Sequence, residues 1–132
     1  MFHDKHRASW QRTAHHNDGL IAAARLAVSG DDALEDLVRT LRDERGFASA
    51  SLRNHQRSLR PFLAWLTERG RPWAETTLHD VSVYLASRPR WSRATIAFHV
   101  QSLRTLFRHG ATRGWCRPGF AETIEAPRLF TH

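Results

Sequence analysis

A single cysteine, Cys116, leaves no partner for an intramolecular disulfide and no cysteine-rich metal site. Long apolar runs are missing too. None approaches the roughly 18–20 residues that a membrane span requires, and the opening MFHDKHRASW lacks the apolar stretch of a secretory signal. The expectation is a soluble protein of the reducing cytoplasm. No Gly-rich phosphate loop, HExxH or GxSxG occurs, so the common phosphate-loop, metalloprotease and serine-hydrolase chemistries have no footing, and no cofactor is expected. The alternation of a half-buried strand is absent, as is any internal repeat.

Lysine is nearly absent as well. The basic residues are nineteen arginines and one lysine, which give a formal charge of +7 and a pI near 11.3. This balance favours a polyanionic partner over an acidic small substrate. Its distribution is uneven: residues 1–48 hold seven basic and eight acidic side chains, whereas residues 49–132 hold thirteen arginines and five acids. All of the excess positive charge lies in the second part. A solvated basic surface without a ligand is the plain alternative, but such a surface is more often spread evenly.

Length allows one domain with a core, or one domain and an appendage. Residues 1–30 read as an N-terminal arm: 1–17 are polar, carry four of the nine histidines and show no period, while LIAAARLAV (20–28) is compatible with a short helix stopped by Gly30. His3, His6, His15 and His16 suggest a metal cluster only if a rigid frame holds them, and loose polar residues are the simpler reading. From 31 to 130 the pattern is helical. Asp31 or Asp32 can cap DALEDLVRTLRDER, whose Leu34, Leu37, Val38 and Leu41 share one face.

A second helix is expected from Ser49 or Ser51, either able to cap it, to Glu68, with Gly70 beyond and Pro61 inside as a bend. Leu52, His55, Leu59, Phe62, Leu63 and Leu66 form its buried stripe. Thr77 and Asp80 make a capping box for a helix from Leu78 to Ser87 whose core face is Val81, Tyr84 and Leu85. Ser92 caps the longest helix, Arg93 to Arg113, with Ile96, Val100, Leu103, Leu106 and Phe107 inward and Gly114 as the stop. A short helix at Phe120–Ile124 lies between Pro118 and Pro127. The fold class is all-α, a compact bundle of four to five helices behind a flexible arm.

Two of these helices carry arginines opposite their core stripes. On a wheel of about 100° per residue, Arg53, Arg57 and Arg60 share one side of the first, and Ala97, Gln101, Arg104 and Arg108 share one side of the second. Guanidinium groups bind phosphate oxygens by bidentate, charge-assisted hydrogen bonds. Asn54, Thr95 and Gln101 offer edges that can read bases. Phe98 and Trp65 fall off the core stripes; a second packing surface suits Trp65, and Phe98 stays open between packing and contact. Trp10, Trp73, Trp91 and Trp115 sit at element ends, where plugging a small core is the ordinary role. Cys116 reads as a small core or loop residue.

Ser51, His55, Leu59, Phe62 and Trp65, followed by LHDVSVYL, SRATIAFHVQSLRTLF and RPGFAETIEAP, form a pattern that resembles the SAM-like core-binding domain of tyrosine recombinases, the family of phage integrases, Xer proteins and Cre. It departs from that pattern at Arg117, where Asn is usual before Pro118, and at His55, where Tyr is usual. The resemblance implies a double-stranded DNA partner, contacted in adjacent major grooves by the helices that begin near Ser49 and at Arg93. By position it places Arg53, Asn54, Arg57, Arg60, Arg93, Ala94, Thr95, Phe98 and Gln101 at the duplex. It further implies self-association on DNA through the helix at 32–45 and the C-terminal helix, a nucleoid location, and a Tyr nucleophile in a separate catalytic domain. That domain is expected to be absent here: Tyr84 is the only tyrosine, it falls on an apolar face, and no HxxR occurs. The chain itself is thus expected to bind DNA and cut nothing. A helical protein-interaction module and a stand-alone DNA-binding regulator are the alternatives.

Overall fold

The computed structural model describes residues 28–126, and every element of regular structure among them is a helix. Residues 1–27, which hold most of the arm and of its helix at 20–28, Trp10 and the four N-terminal histidines, lie outside the described residues. Helix α1 (Gly30–Asp43) is capped by Ser29, whose Oγ accepts the Asp32 amide at 3.0 Å. Neither Asp31 nor Asp32 is the cap, because both already have their place in the first turn, where carboxylates favour the positive end of the helix dipole. Gly30, expected to stop the 20–28 segment, is also the first residue of α1. A β-carbon there would come within 3.0 Å of Leu63, so this end of α1 lies close against α2.

Helix α2 (Ser49–Glu68) begins without a side-chain cap, since the last extended residue is Ala48 and both Ser49 and Ser51 are inside the helix. A hydroxyl caps only from the position that Ala48 holds. Pro61 lies within α2 and does not end it. After a single 3₁₀ turn (Trp73–Glu75), α3 (Leu78–Ala86) starts with the expected capping box: Asp80 donates its amide to Thr77 Oγ1 at 3.1 Å, and Thr77 donates its own to Asp80 Oδ2 at 2.9 Å. Helix α4 (Arg93–Thr112) is capped by Ser92, and α5 (Phe120–Thr123) follows Gly119, which takes a positive φ of 88°.

The long helices α2 and α4 are the centre of the bundle. Helix α1 packs on both, α5 packs on α4, and the 3₁₀ turn rests on α2. Every residue expected in the α2 and α4 stripes is buried, as are Val81, Tyr84 and Leu85 of α3. Phe62 joins the layers, edge-on to Tyr84 at 5.1 Å and to Phe107 at 6.3 Å. Trp65 is half-buried against Phe62 and Tyr84, so it serves a second packing surface. The end of the bundle is plugged by Trp73, whose ring meets Phe107 and Trp115 and whose Nε1 donates to the Val28 carbonyl at 2.9 Å. Cys116 is buried beside it.

Two local features hold the periphery in place. Asp36 of α1 accepts from His109 Nε2 of α4 and from Nε of Arg113, the C-cap of α4, both at 2.8 Å, and from Arg39 at 2.7 Å. Burial pushes its carboxyl up, but hydrogen bonds from His109, Arg113 and Arg39 outweigh that and hold it below the ordinary carboxylate range. Gly110 on α4 is the other: an added β-carbon would lie 2.6 Å from Cys116 Sγ and 3.0 Å from Trp73.

Gly110→Ala should therefore lower stability by about 1–3 kcal/mol through overpacking, despite the better helix propensity of alanine, and urea unfolding would show it. Removing the anchor with Asp36→Ala should cost about 1–3 kcal/mol at neutral pH. Because the Asp36 carboxyl is more acidic folded than unfolded, its contribution is present above the ordinary value of 3.8 and is lost as pH falls through the lowered value. The difference in unfolding free energy between wild type and D36A should shrink in that acid range.

Candidate nucleic-acid interface

Where α2 meets α4, the contact is made by two polar pairs as well as by the apolar stripes. His55 Nδ1 and Ser102 Oγ share a hydrogen bond of 2.8 Å; Ser58 Oγ and His99 Nδ1 share another of 2.8 Å. Three residues forward on α2 corresponds to three residues back on α4, the register of antiparallel helices. His55, Ser58 and Ser102 are buried, and His99 is half-buried. Burial pulls the His55 imidazole below its ordinary range. Burial does the same to His99, with the Arg88 charge adding to it.

Aromatic rings brace this seam. The Trp91 ring stacks on His99 with centroids 3.8 Å apart and planes 12° from parallel. On the other side Phe98 stacks on His55 at 5.5 Å. Phe98 is nonetheless 38% exposed, one of two large apolar side chains in that state among the described residues. It lines a shallow groove with Asn54, Arg57, Ser58 and His99. Of the residues expected at the site, Asn54, Arg57 and Phe98 are thus brought together.

Around the groove the charge has one sign. Arg53, Arg57, Arg60 and Arg93 are exposed, and among the described residues none of them forms an ion pair or a side-chain hydrogen bond. Helix α4 contains no acid, and α2 contains only Glu68 in its last position. Gln101 is exposed on α4 one turn beyond Phe98. Such a face attracts a polyanion because nothing nearby neutralises it.

Three expected residues are placed differently. Arg104 is half-buried and its Nε donates to the Ile124 carbonyl at 2.7 Å, so it fastens the segment after α5 to α4. Arg108 pairs with Glu122 of α5 at 3.1 Å on the surface. The Thr95 hydroxyl accepts from Ser92 Oγ at 3.0 Å within the α4 cap. The helical wheel put Arg104 and Arg108 on the outer side of α4 without showing that α5 and the residue after it would engage them. Sequence reasoning in turn missed Ser58 and His99. The signal was an H-x-x-S pattern present in both long helices, His55 to Ser58 and His99 to Ser102.

A second hollow, at the end of α2, is lined by Arg69, Gly70, Arg71 and Pro72, but its guanidinium groups are engaged. Arg71 pairs with the buried Asp80 at 3.2 Å, and Arg69 lies over the Trp65 ring at 4.5 Å. Tyr84 has no surface exposure, and burial pushes its phenol up, with Arg88 pulling the other way.

Residues 34–114 match the family model of the phage integrase N-terminal SAM-like domain. The chain belongs to this family. No curated protein and no solved structure matches it. The match runs from within α1 to just past the end of α4, and so contains the groove, the seam and all four unpaired arginines. Among its described residues no helix is long and apolar enough to cross a membrane.

The two histidines of the seam give the domain a pH dependence of definite sign. Each takes up a proton less readily folded than unfolded, so their stabilisation is intact above the ordinary value of 6.5 and is lost as pH falls below it. Urea midpoints should fall between pH 7 and pH 5 in roughly that window. The fall should be smaller in a His55→Gln, His99→Gln variant, which is less stable at pH 7 but has lost both titrating rings.

Proposed function

We propose that this SAM-like domain is the DNA-binding core domain of a tyrosine site-specific recombinase or integrase. It contributes duplex recognition and protomer assembly and cleaves no strand by itself. The observation that carries the reading is the group of four unpaired arginines, Arg53, Arg57, Arg60 and Arg93, around a groove with no acid on the same faces. Their role is to neutralise phosphates and set the register of α2 and α4 against the major groove, while Asn54, Phe98 and Gln101 lie between them at the height of the bases. The family supports a DNA partner through what integrases do.

Residues 31–130 form the binding domain in this reading, with residues 1–30 as an arm. Arg104 and Arg108 join the interface only at its edge, since α5 already engages both. Self-association on DNA is assigned to α1 and the C-terminal helix. The exposed Asp31, Asp32 and Glu35, with no base among them, make the first turns of α1 acidic, which suits that end to a basic protein surface rather than to a duplex. The cytoplasm, at the nucleoid, is the matching location. Tyr84, buried and unable to reach a phosphate where it stands, takes no part in strand cleavage.

Titration of a labelled duplex at several salt concentrations tests the reading. Affinity should be in roughly the micromolar range or weaker and fall linearly with salt on logarithmic axes, with a slope of about 0.9 per phosphate contact. Arg57→Ala with Arg60→Ala should weaken binding to every sequence and reduce that slope by about 1 per arginine, with the helical circular dichroism unchanged. Absence of binding even at low salt would sink the reading in favour of a protein-interaction bundle.

A further inference from the structure

We infer that Phe98 reads the 5-methyl group of thymine and that Asn54, across the groove, reads the adenine edge, so that this face selects A·T pairs. The inference rests on the proposed DNA-binding function and gives it a base preference.

An exposed phenylalanine by itself is unremarkable. Here its position singles it out. Phe98 sits in the groove with Asn54 and Arg57 and within a face of unpaired arginines, where a solvated side chain would be expected to be polar. The ring is also held: it stacks on His55, and His55 is fixed by its hydrogen bond to Ser102. An apolar group held in place before its partner arrives loses little rotamer freedom on binding. The construction is that of a contact surface rather than of a side chain left over from the core.

The chemistry of its neighbours narrows the partner. In the major groove an A·T pair shows the adenine N7 acceptor, the N6 donor, the thymine O4 acceptor and the thymine methyl group. A carboxamide matches the adenine edge with two hydrogen bonds, and an aromatic ring matches the methyl group. Asn54 is exposed at the groove on α2; along α4 the exposed residues one turn apart are Ala94, Phe98 and Gln101. Apart from Ala97, which adds a second methyl group, and from Ser58 and His99, which line the groove but are hydrogen-bonded to each other, the uncharged side chains here are two carboxamides, a methyl group and a ring. None of these four favours guanine over adenine, and none is acidic, as cytosine N4 would favour.

The test uses the full chain and three labelled duplexes of equal length: one of alternating adenine and thymine, the same with every thymidine replaced by deoxyuridine, and one of alternating guanine and cytosine. The uridine duplex lacks only the methyl groups. The expected order is thymine over uracil by about three- to fivefold, the worth of roughly one methyl group removed from water. The guanine–cytosine duplex should be weakest. Phe98→Ala should bind the thymine duplex as weakly as the uracil one, and Asn54→Ala should narrow the gap to guanine–cytosine.

Equal, salt-dependent binding of the thymine and uracil duplexes by wild type would overturn the inference and leave the DNA-binding reading standing. A preference for guanine–cytosine would overturn it too, pointing to Arg57 as a base reader. An F98A variant weakened equally on thymine and uracil would make the ring a wedge between base steps instead. No binding to any duplex at low salt removes both readings. The wild-type comparison needs no variant, so it decides the matter even if F98A does not fold.

Discussion

The register of α2 against α4 is the constraint from which the rest of the domain follows. Apolar stripes alone would tolerate a slip of one turn, since leucines and phenylalanines repeat along both helices and hydrophobic contact is not directional. The His55–Ser102 and Ser58–His99 hydrogen bonds are directional. A slip would separate both pairs at once and leave polar atoms unpaired in a largely dry interface, at about 1–3 kcal/mol for each orphaned group. With the register fixed, Asn54 and Arg57 face Phe98 and His99, Asp36 of α1 finds His109 and Arg113, and Gly110 meets Trp73 and Cys116. Groove, clamp and plug are all set by one alignment.

Arginine serves two ends in this molecule, and the difference lies in what surrounds each guanidinium. Arg71, Arg104, Arg108 and Arg113 have internal acceptors: Asp80, the Ile124 carbonyl, Glu122 and Asp36. Arg53, Arg57, Arg60 and Arg93 have none among the described residues. The first set fastens elements of the bundle to one another: Arg104, Arg108 and Arg113 act from α4 and its C-cap, and Arg71 ties the loop after α2 to α3. The second is left with full charge on a face without acids, where the field of each adds to that of the others. The near absence of lysine suits both uses, because a planar fork can serve a carbonyl, a carboxylate or a phosphate with defined geometry.

Much of this was legible in the residues. The core stripes of α2, α3 and α4 were readable because each repeats over several turns, and the Thr77–Asp80 box and the Ser92 cap because each is a local motif that needs no tertiary contact. The match to the integrase SAM-like family agrees with the pattern in those same segments. The caps of α1 and α2 were misread by one to three residues, since several small polar residues precede each helix and only the backbone decides which is the last extended one. Arg104 and Arg108 show a different limit. A wheel tells which side a residue takes but not what a later element lays over that side, and α5, only four residues long, gave little signal of where it would dock. Histidine and serine on a core stripe look like interruptions until their partners are known, which is why Ser58 and His99 became intelligible only with the two helices side by side.

The bond from Arg104 to Ile124 ties two distant jobs to one piece of rigid machinery. Phe98 and Arg104 are six residues apart on α4, about 9 Å along its axis at 1.5 Å per residue. The peptide where the backbone leaves α5 is thus gripped by the same rod that presents the aromatic edge of the groove.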